Sequence, residues 1–259
     1  MIIFYHNPWS RASGVHWLLE ELGVPFEFSR VDIRAKEGVP ESYRAIQPNK
    51  KVPAIDHDGT IITERAAITI YLADTFAEAG LAPAIGDRAR ATYLTWLVYS
   101  DSVLDPVVAA KAHGKEFMGS RYSYGSFSEM VANLEKTLSS RPYIAGDKFT
   151  AADTQIGSGV YFATNVLRVL PEHRVFRAYM DRLAARPAFQ RYSRREWRRR
   201  PECSTAADGF FRFRIRLDGN AAGCRMDRRP LRVSDAIPDG KRLTLFLVSP
   251  YFSSSSRSR

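Results

Sequence analysis

The feature that most constrains this chain is a change of periodicity near residue 80. Before it, short apolar runs of β-forming residues alternate with stretches of helical spacing. After it, helical spacing alone continues to about residue 185. Such a chain has to build an α/β unit followed by an all-helical one.

The first strand signal covers residues 2–5 and breaks at Asn7-Pro8. Val15, Leu18, Leu19 and Leu22 then fall at i, i+3, i+4 and i+7, with Gly23 placed to close the helix. A second strand is expected over 26–31 and a short helix over 41–46, cut by Pro48. Val52-Pro53-Ala54-Ile55 opens a third strand. Asp58-Gly59 suits a hairpin turn into Ile61-Ile62-Thr63, because glycine tolerates positive φ. A helix over 65–77 completes the order βαβαββα. Residues 80–86, with Gly80, Pro83 and Gly86, read as a linker between a domain over 1–79 and one over 87–190. The second domain should hold helices over 88–112, bent near Pro106, then 124–140, 151–169 and 175–185, the last stopped by Pro187. Thr150 followed three residues later by Asp153 is a variant capping box, a folding signal rather than a catalytic acid.

Charge narrows the function classes. The 259 residues include 38 Lys and Arg against 28 Asp and Glu, a net charge of +10. Residues 1–190 hold 21 of each sign, whereas residues 191–259 hold 17 bases and 7 acids. A basic surface over the whole molecule is excluded, and a nucleic-acid partner would rest on the tail alone. Both cysteines, Cys203 and Cys224, also lie in the tail, without metal-ligand spacing around them. A disulfide framework in the first 190 residues is therefore excluded, and no metal site is expected. The tail carries 16 Arg and 1 Lys with no repeat and no helical period. It is expected to be a disordered basic extension or an out-of-frame translation of GC-rich DNA. No run of about 18 apolar residues exists to span a membrane, and the start has no basic leader. A cytoplasmic protein, not a membrane protein, is the expectation.

Three local features can carry chemistry. Ser10 stands at or just before the first helix, where backbone N–H groups and the helix dipole favour an anion. Its hydroxyl either donates to a bound thiolate or simply caps the helix. Val52-Pro53, if cis, would turn the Val52 N–H and C=O outward to pair with an extended peptide-like ligand. From the dipeptide alone trans is expected, since cis is roughly 5–6% of X–Pro bonds. Glu64-Arg65 opens the helix at 65, where Glu64 suits an ammonium and Arg65 with the helix start suits a carboxylate. Read in isolation, the pair is a solvated acid beside a surface arginine.

Taken in order, these motifs resemble the bacterial glutathione S-transferases. The resemblance runs through Ser10, Asn49-Lys50-Lys51-Val52-Pro53-Ala54-Ile55, Thr63-Glu64-Arg65-Ala66-Ala67-Ile68, Tyr71-Leu72-Ala73-Asp74, Phe149-Thr150-Ala151-Ala152-Asp153 and Arg186-Pro187-Ala188-Phe189. It covers about residues 1–190. It implies a thioredoxin-like first domain that binds glutathione and an all-helical second domain, with a small apolar electrophile held between them. It reverses the expectation for Val52-Pro53 to cis. It assigns glutathione contacts to Lys51, Val52, Pro53, Glu64 and Arg65, with Lys50 and Lys36 as further cations for the glycyl carboxylate. Arg65 stands where many members have Ser, and Lys50 replaces a common Gly. Ser10 falls where one class carries cysteine and others a serine or tyrosine, so Ser10 is the thiolate-holding candidate and Tyr5 the runner-up. With no cysteine in residues 1–190, cysteine-dependent thiol exchange is disfavoured.

The implied reaction is attack of the glutathione thiolate on the electrophile, with glutathione as co-substrate and no permanently bound cofactor. Trp9, Tyr93, Trp96, Tyr99 and His113 are candidates to line the electrophile pocket, each with core packing as the plain alternative. The resemblance also implies a homodimer, with Arg90, Asp74 and Asp101 near its interface. The competing reading is a non-catalytic module that keeps the fold for protein contacts.

Overall fold

The computed structural model describes residues 1–115 and 122–198. The expectations for the tail from residue 199 onward, including Cys203 and Cys224, lie outside the described residues.

Strict alternation in Ile2–His6 (β1) buries Ile2, Phe4 and His6 on one face and leaves Ile3 and Tyr5 half-buried on the other. The helix that follows, Ser13–Leu22 (α1), buries Val15, Leu18 and Leu19 completely. Gly23 ends it in the left-handed region at φ 69°, donating its N–H to the Leu19 carbonyl. Because α1 is a crossover, Phe26–Arg30 (β2) returns parallel to β1. Ala54–His57 (β3) pairs antiparallel with β1 and with Thr60–Thr63 (β4), giving the order β2-β1-β3-β4. Asp58 and Gly59 make the β3–β4 turn, both at positive φ (51° and 87°). Arg65–Thr75 (α2) closes the unit. The short helix expected over 41–46 is a 3₁₀ turn, Glu41–Ala45. Pro40 and Pro48 bracket too few residues there for a stable α-helix.

Beyond residue 80 the described elements are helical. Ala89–Tyr99 (α3) and Asp105–Ala112 (α4) run on through a π turn at Ser100–Leu104. The turn comes just before Pro106, which has no N–H to donate to the carbonyl four residues back. Phe127–Ser140 (α5) starts at a capping box between Ser126 and Glu129. Ala151–Tyr161 (α6) starts at the expected Thr150–Asp153 box and widens into a second π turn, Phe162–Val166. Asp153 is buried and also accepts from the Ile144 N–H at 2.8 Å and the Tyr179 hydroxyl at 2.9 Å. Arg174–Ala184 (α7) follows.

The expectation for Pro187 is corrected by the structure. Pro187 does not end the helical region but opens a further helix, Pro187–Arg198 (α8). A proline is well suited to a helix start, because the N–H it lacks would have no intrahelical partner. The first residues of the arginine-rich segment therefore belong to the fold. Helix α8 packs along α1, with Arg191 and Arg195 on the Glu20 carboxylate at 3.2 and 2.6 Å. Just before α8, Arg186 pairs with Glu21 at 2.7 Å.

Candidate functional site

The loop over residues 7–12 joins β1 to α1 and carries Ser10. Asn7 is buried and donates from Nδ2 to the Val31 carbonyl at 2.9 Å. Arg34 clamps the loop from outside, reaching Asn7 Oδ1 at 2.6 Å and the carbonyls of Pro8 and Trp9 at 3.1 and 2.7 Å. Trp9 sits at φ 59°, a region costly for a residue with a bulky side chain. Its N–H donates to Glu196 Oε1 at 2.9 Å. Ser10 donates its hydroxyl to the Asn7 carbonyl at 2.6 Å and accepts from the Ala12 N–H at 3.1 Å. Both bonds stay within the loop, and the N-cap position of α1 is Ala12, which has no side-chain cap.

Under the loop lies a cluster that sequence reading missed. Glu196, from α8, is 3% exposed. Its Oε2 stands 3.0 Å from His6 Nε2 and 2.9 Å from His16 Nδ1, and its Oε1 also accepts from the Ser13 hydroxyl at 2.8 Å. An ionised carboxylate only accepts, so both facing imidazole nitrogens carry protons. Burial alone would raise the Glu196 carboxyl, but the hydrogen bonds from His16 and His6 overcome it and hold the group well below the usual carboxylate range. Burial likewise opposes charge on His16, yet Glu196 and Glu20 outweigh it and raise the imidazole above its ordinary value.

The peptide edge forms separately. Val52-Pro53 is cis, as the family resemblance implied, and both residues are buried. The buried Gln47, also missed in the sequence, accepts from the Lys51 N–H at 3.1 Å and points its amide nitrogen at Glu64 Oε1, 3.4 Å away. Tyr43 donates to the Lys51 carbonyl at 3.1 Å. Glu64 is exposed, at φ 67°, and directly precedes α2. Lys51 and Lys36 are exposed, whereas Lys50 donates to the Val39 carbonyl and Glu41 at 3.0 and 3.1 Å.

Arg65 is not the surface cation expected of the motif read in isolation. It is buried and pairs with Asp101 and Asp105, the latter at 3.2 Å. Asp101 also accepts the Ala66 N–H at 3.1 Å, so a carboxylate of the chain itself occupies the start of α2. Asp105 continues the network to Arg11 at 2.6 Å, whose guanidinium lies 3.8 Å over the Phe162 ring. Arg11, Arg65, Asp105, Leu104, Val108 and Phe162 line a small cleft.

The proposed aromatic lining is not gathered at that cleft. Tyr93 is 0% exposed and Trp96 is buried, both in the core, because apolar faces of α3 pack inward. Tyr99 packs against Trp96, with ring centroids 4.8 Å apart, and His113 is exposed at the end of α4. Trp9 remains half-buried on the Ser10 loop. Tyr5 lies on the half-buried face of β1, its ring 5.7 Å from Tyr43, and burial with nearby Asp56 raises its phenol. Arg90 and Asp74 pair with each other at 2.7 Å.

Comparison with known proteins matches residues 1–74 to the glutathione S-transferase N-terminal domain family. Glutathione S-transferase GstA of Escherichia coli O157:H7 is 30% identical over 203 residues, covering 73% of this chain and 96% of that protein. Disulfide-bond oxidoreductase YfcG of Escherichia coli K12 is 26% identical, covering 73% and 92%. A sphingomonad glutathione S-transferase solved in complex with glutathione superposes with a TM-score of 0.63 at 26% identity, over 75% of this chain and 98% of that one.

Proposed function

The chain belongs to the glutathione S-transferase family, and from that premise we propose that it binds glutathione as co-substrate and activates its thiol for attack on a small apolar electrophile. The observation that carries this reading is the bridge made by Gln47. Its amide holds the Lys51 N–H, one residue before Val52, and reaches the Glu64 carboxylate, so the Val52 segment and an acid are tied together. That pairing suits a ligand that is both peptide and amino acid. Val52 offers the edge, the exposed Lys51 offers its side-chain ammonium to a carboxylate, Pro53 shapes the edge, and Glu64 takes the ligand's ammonium. Arg65 acts from beneath through Asp101 rather than by direct contact.

A free thiol with a pKa near 8.5 is only a few per cent thiolate at neutral pH. Lowering it by about two units asks the site for about 2.7 kcal/mol, within reach of a charge-assisted hydrogen bond and the nearby helix start. Ser10 supplies the bond by turning its proton from the neutral Asn7 carbonyl to the anionic sulfur. The thiol proton leaves to solvent, the sulfur lone pair forms the new S–C bond, and the leaving group departs with its electrons. Ser10→Ala is expected to raise the pKa of bound glutathione, followed by thiolate ultraviolet absorbance, by about one unit or more and to cut turnover about tenfold. Tyr5→Phe is expected to change neither. If Ser10→Ala leaves both untouched, Ser10 is not the activating group.

A second reading draws on Asp101, which occupies the start of α2. A chain that has filled this anion seat with its own acid could keep the fold as a non-catalytic module. Retention on immobilised glutathione, eluted by free glutathione, supports the enzyme reading; failure to bind supports the module.

A further inference from the structure

We propose that Glu196 is a positioning residue for the thiol-holding loop, fixing the Ser10 hydroxyl by gripping the loop on both sides of it. The inference rests on the reading of that loop given above. Glu196 Oε1 accepts from the Trp9 N–H, one residue before Ser10, and from the Ser13 hydroxyl, three residues after it. The grip matters because Trp9 is held at φ 59°, a conformation that relaxes unless surrounding contacts enforce it. Arg34 fastens the loop by its outer carbonyls, and Glu196 fastens the inward N–H.

The other carboxylate oxygen is held by His6 of β1 and His16 of α1. The second nitrogen of His16 faces Glu20 Oε1 at 3.8 Å, an ion-pair separation longer than a hydrogen bond. Glu20 is in turn held by Arg191 and Arg195 of α8. From the same helix the Tyr192 ring packs edge-on to His16 at 5.1 Å, while Phe28 of β2 meets it at 4.9 Å. The carboxylate thus accepts four hydrogen bonds of 2.8 to 3.0 Å and is complete in itself.

The test uses the full-length protein with Glu196→Gln, which keeps the shape but turns one acceptor into a donor. Two readouts are taken: the Trp9 backbone amide shift by NMR without ligand, and the thiol pKa of bound glutathione by ultraviolet titration. The expected result is a displaced Trp9 amide together with a thiol pKa raised by about one unit, a tenfold loss of thiolate fraction. Arg186→Ala removes the ion pair to Glu21, which lies outside the grip on the loop, and is expected to leave both readouts unchanged. Should Glu196→Gln fail to fold, Ser13→Ala removes one arm of the grip and is expected to move both readouts less, in the same sense. An unmoved Trp9 amide in a folded variant overturns the proposal. So does a displaced amide with an unchanged thiol pKa while Ser10→Ala shifts it, since Glu196 is then merely structural and the Ser10 reading stands. If Ser10→Ala has no effect but Glu196→Gln moves both readouts, the Ser10 assignment fails and the grip on the loop survives. Stoichiometric zinc in the purified protein, lost in Glu196→Gln, would make the cluster a metal centre and overturn the proposal.

Discussion

Asp101 seats its carboxylate on the first turn of α2, accepting the Ala66 N–H at 3.1 Å while it pairs with Arg65. A helix start beside a guanidinium favours any anion, so a ligand carboxylate must compete with this internal one. Asp101→Asn removes the charge with little change of shape. It is expected to tighten glutathione binding by about fivefold, roughly 1 kcal/mol, measured by titration calorimetry. Weaker binding would instead mean that Asp101 touches the ligand's ammonium.

Local signals carried much of the fold. Gly23, Asp58-Gly59 and the Thr150–Asp153 box each act within a few residues, so sequence spacing alone reports them. Pro187 misled because a proline both stops one helix and suits the start of the next. The site was harder to read. Glu196 stands in a run of arginines, and charge counting treats such a run as solvated. Its partners His6 and His16 lie 190 and 180 residues away, beyond any periodicity. Gln47 and Arg34 carried no motif at all, although both now organise the site. Tyr93 and Trp96 show the opposite failure, since aromatic residues at helical spacing describe a core as well as they describe a pocket.

Helix α1 carries the loop at its start, so its seat on α6 sets where the loop lies. Gly14 makes that seat close. A Cβ there would stand 2.8 Å from Gln155 Oε1, 2.9 Å from Ser158 Oγ and 3.1 Å from the Thr154 backbone carbonyl. The side chains can give way, but the carbonyl belongs to α6 and cannot. Gly14→Ala is expected to destabilise by about 1–3 kcal/mol from overpacking, although alanine is the better helix former by about 1 kcal/mol. The urea midpoint should fall. An unchanged or higher midpoint would show that the α1–α6 contact is looser than its geometry states.

The buried pair of His16 and Glu196 sets a direction for stability against pH. His16 is raised above its ordinary 6.5, because Glu196 and Glu20 outweigh the cost of burying its charge. The folded protein therefore holds that proton more tightly than the unfolded chain does. This contribution is complete below pH 6.5 and is lost as pH rises through the raised folded value. Glu196 works in the other direction. It is held below its ordinary 4.5, so its contribution is present above that pH and is lost as pH falls through the lowered value. The two effects together favour the interval between about pH 4.5 and 6.5. Each tenfold gain in proton affinity on folding amounts to about 1.4 kcal/mol. Urea unfolding of the wild type should show stability declining above pH 6.5, and His16→Gln should flatten that decline. If His16→Gln keeps the full slope, the decline belongs to another group and His16 does not titrate with folding.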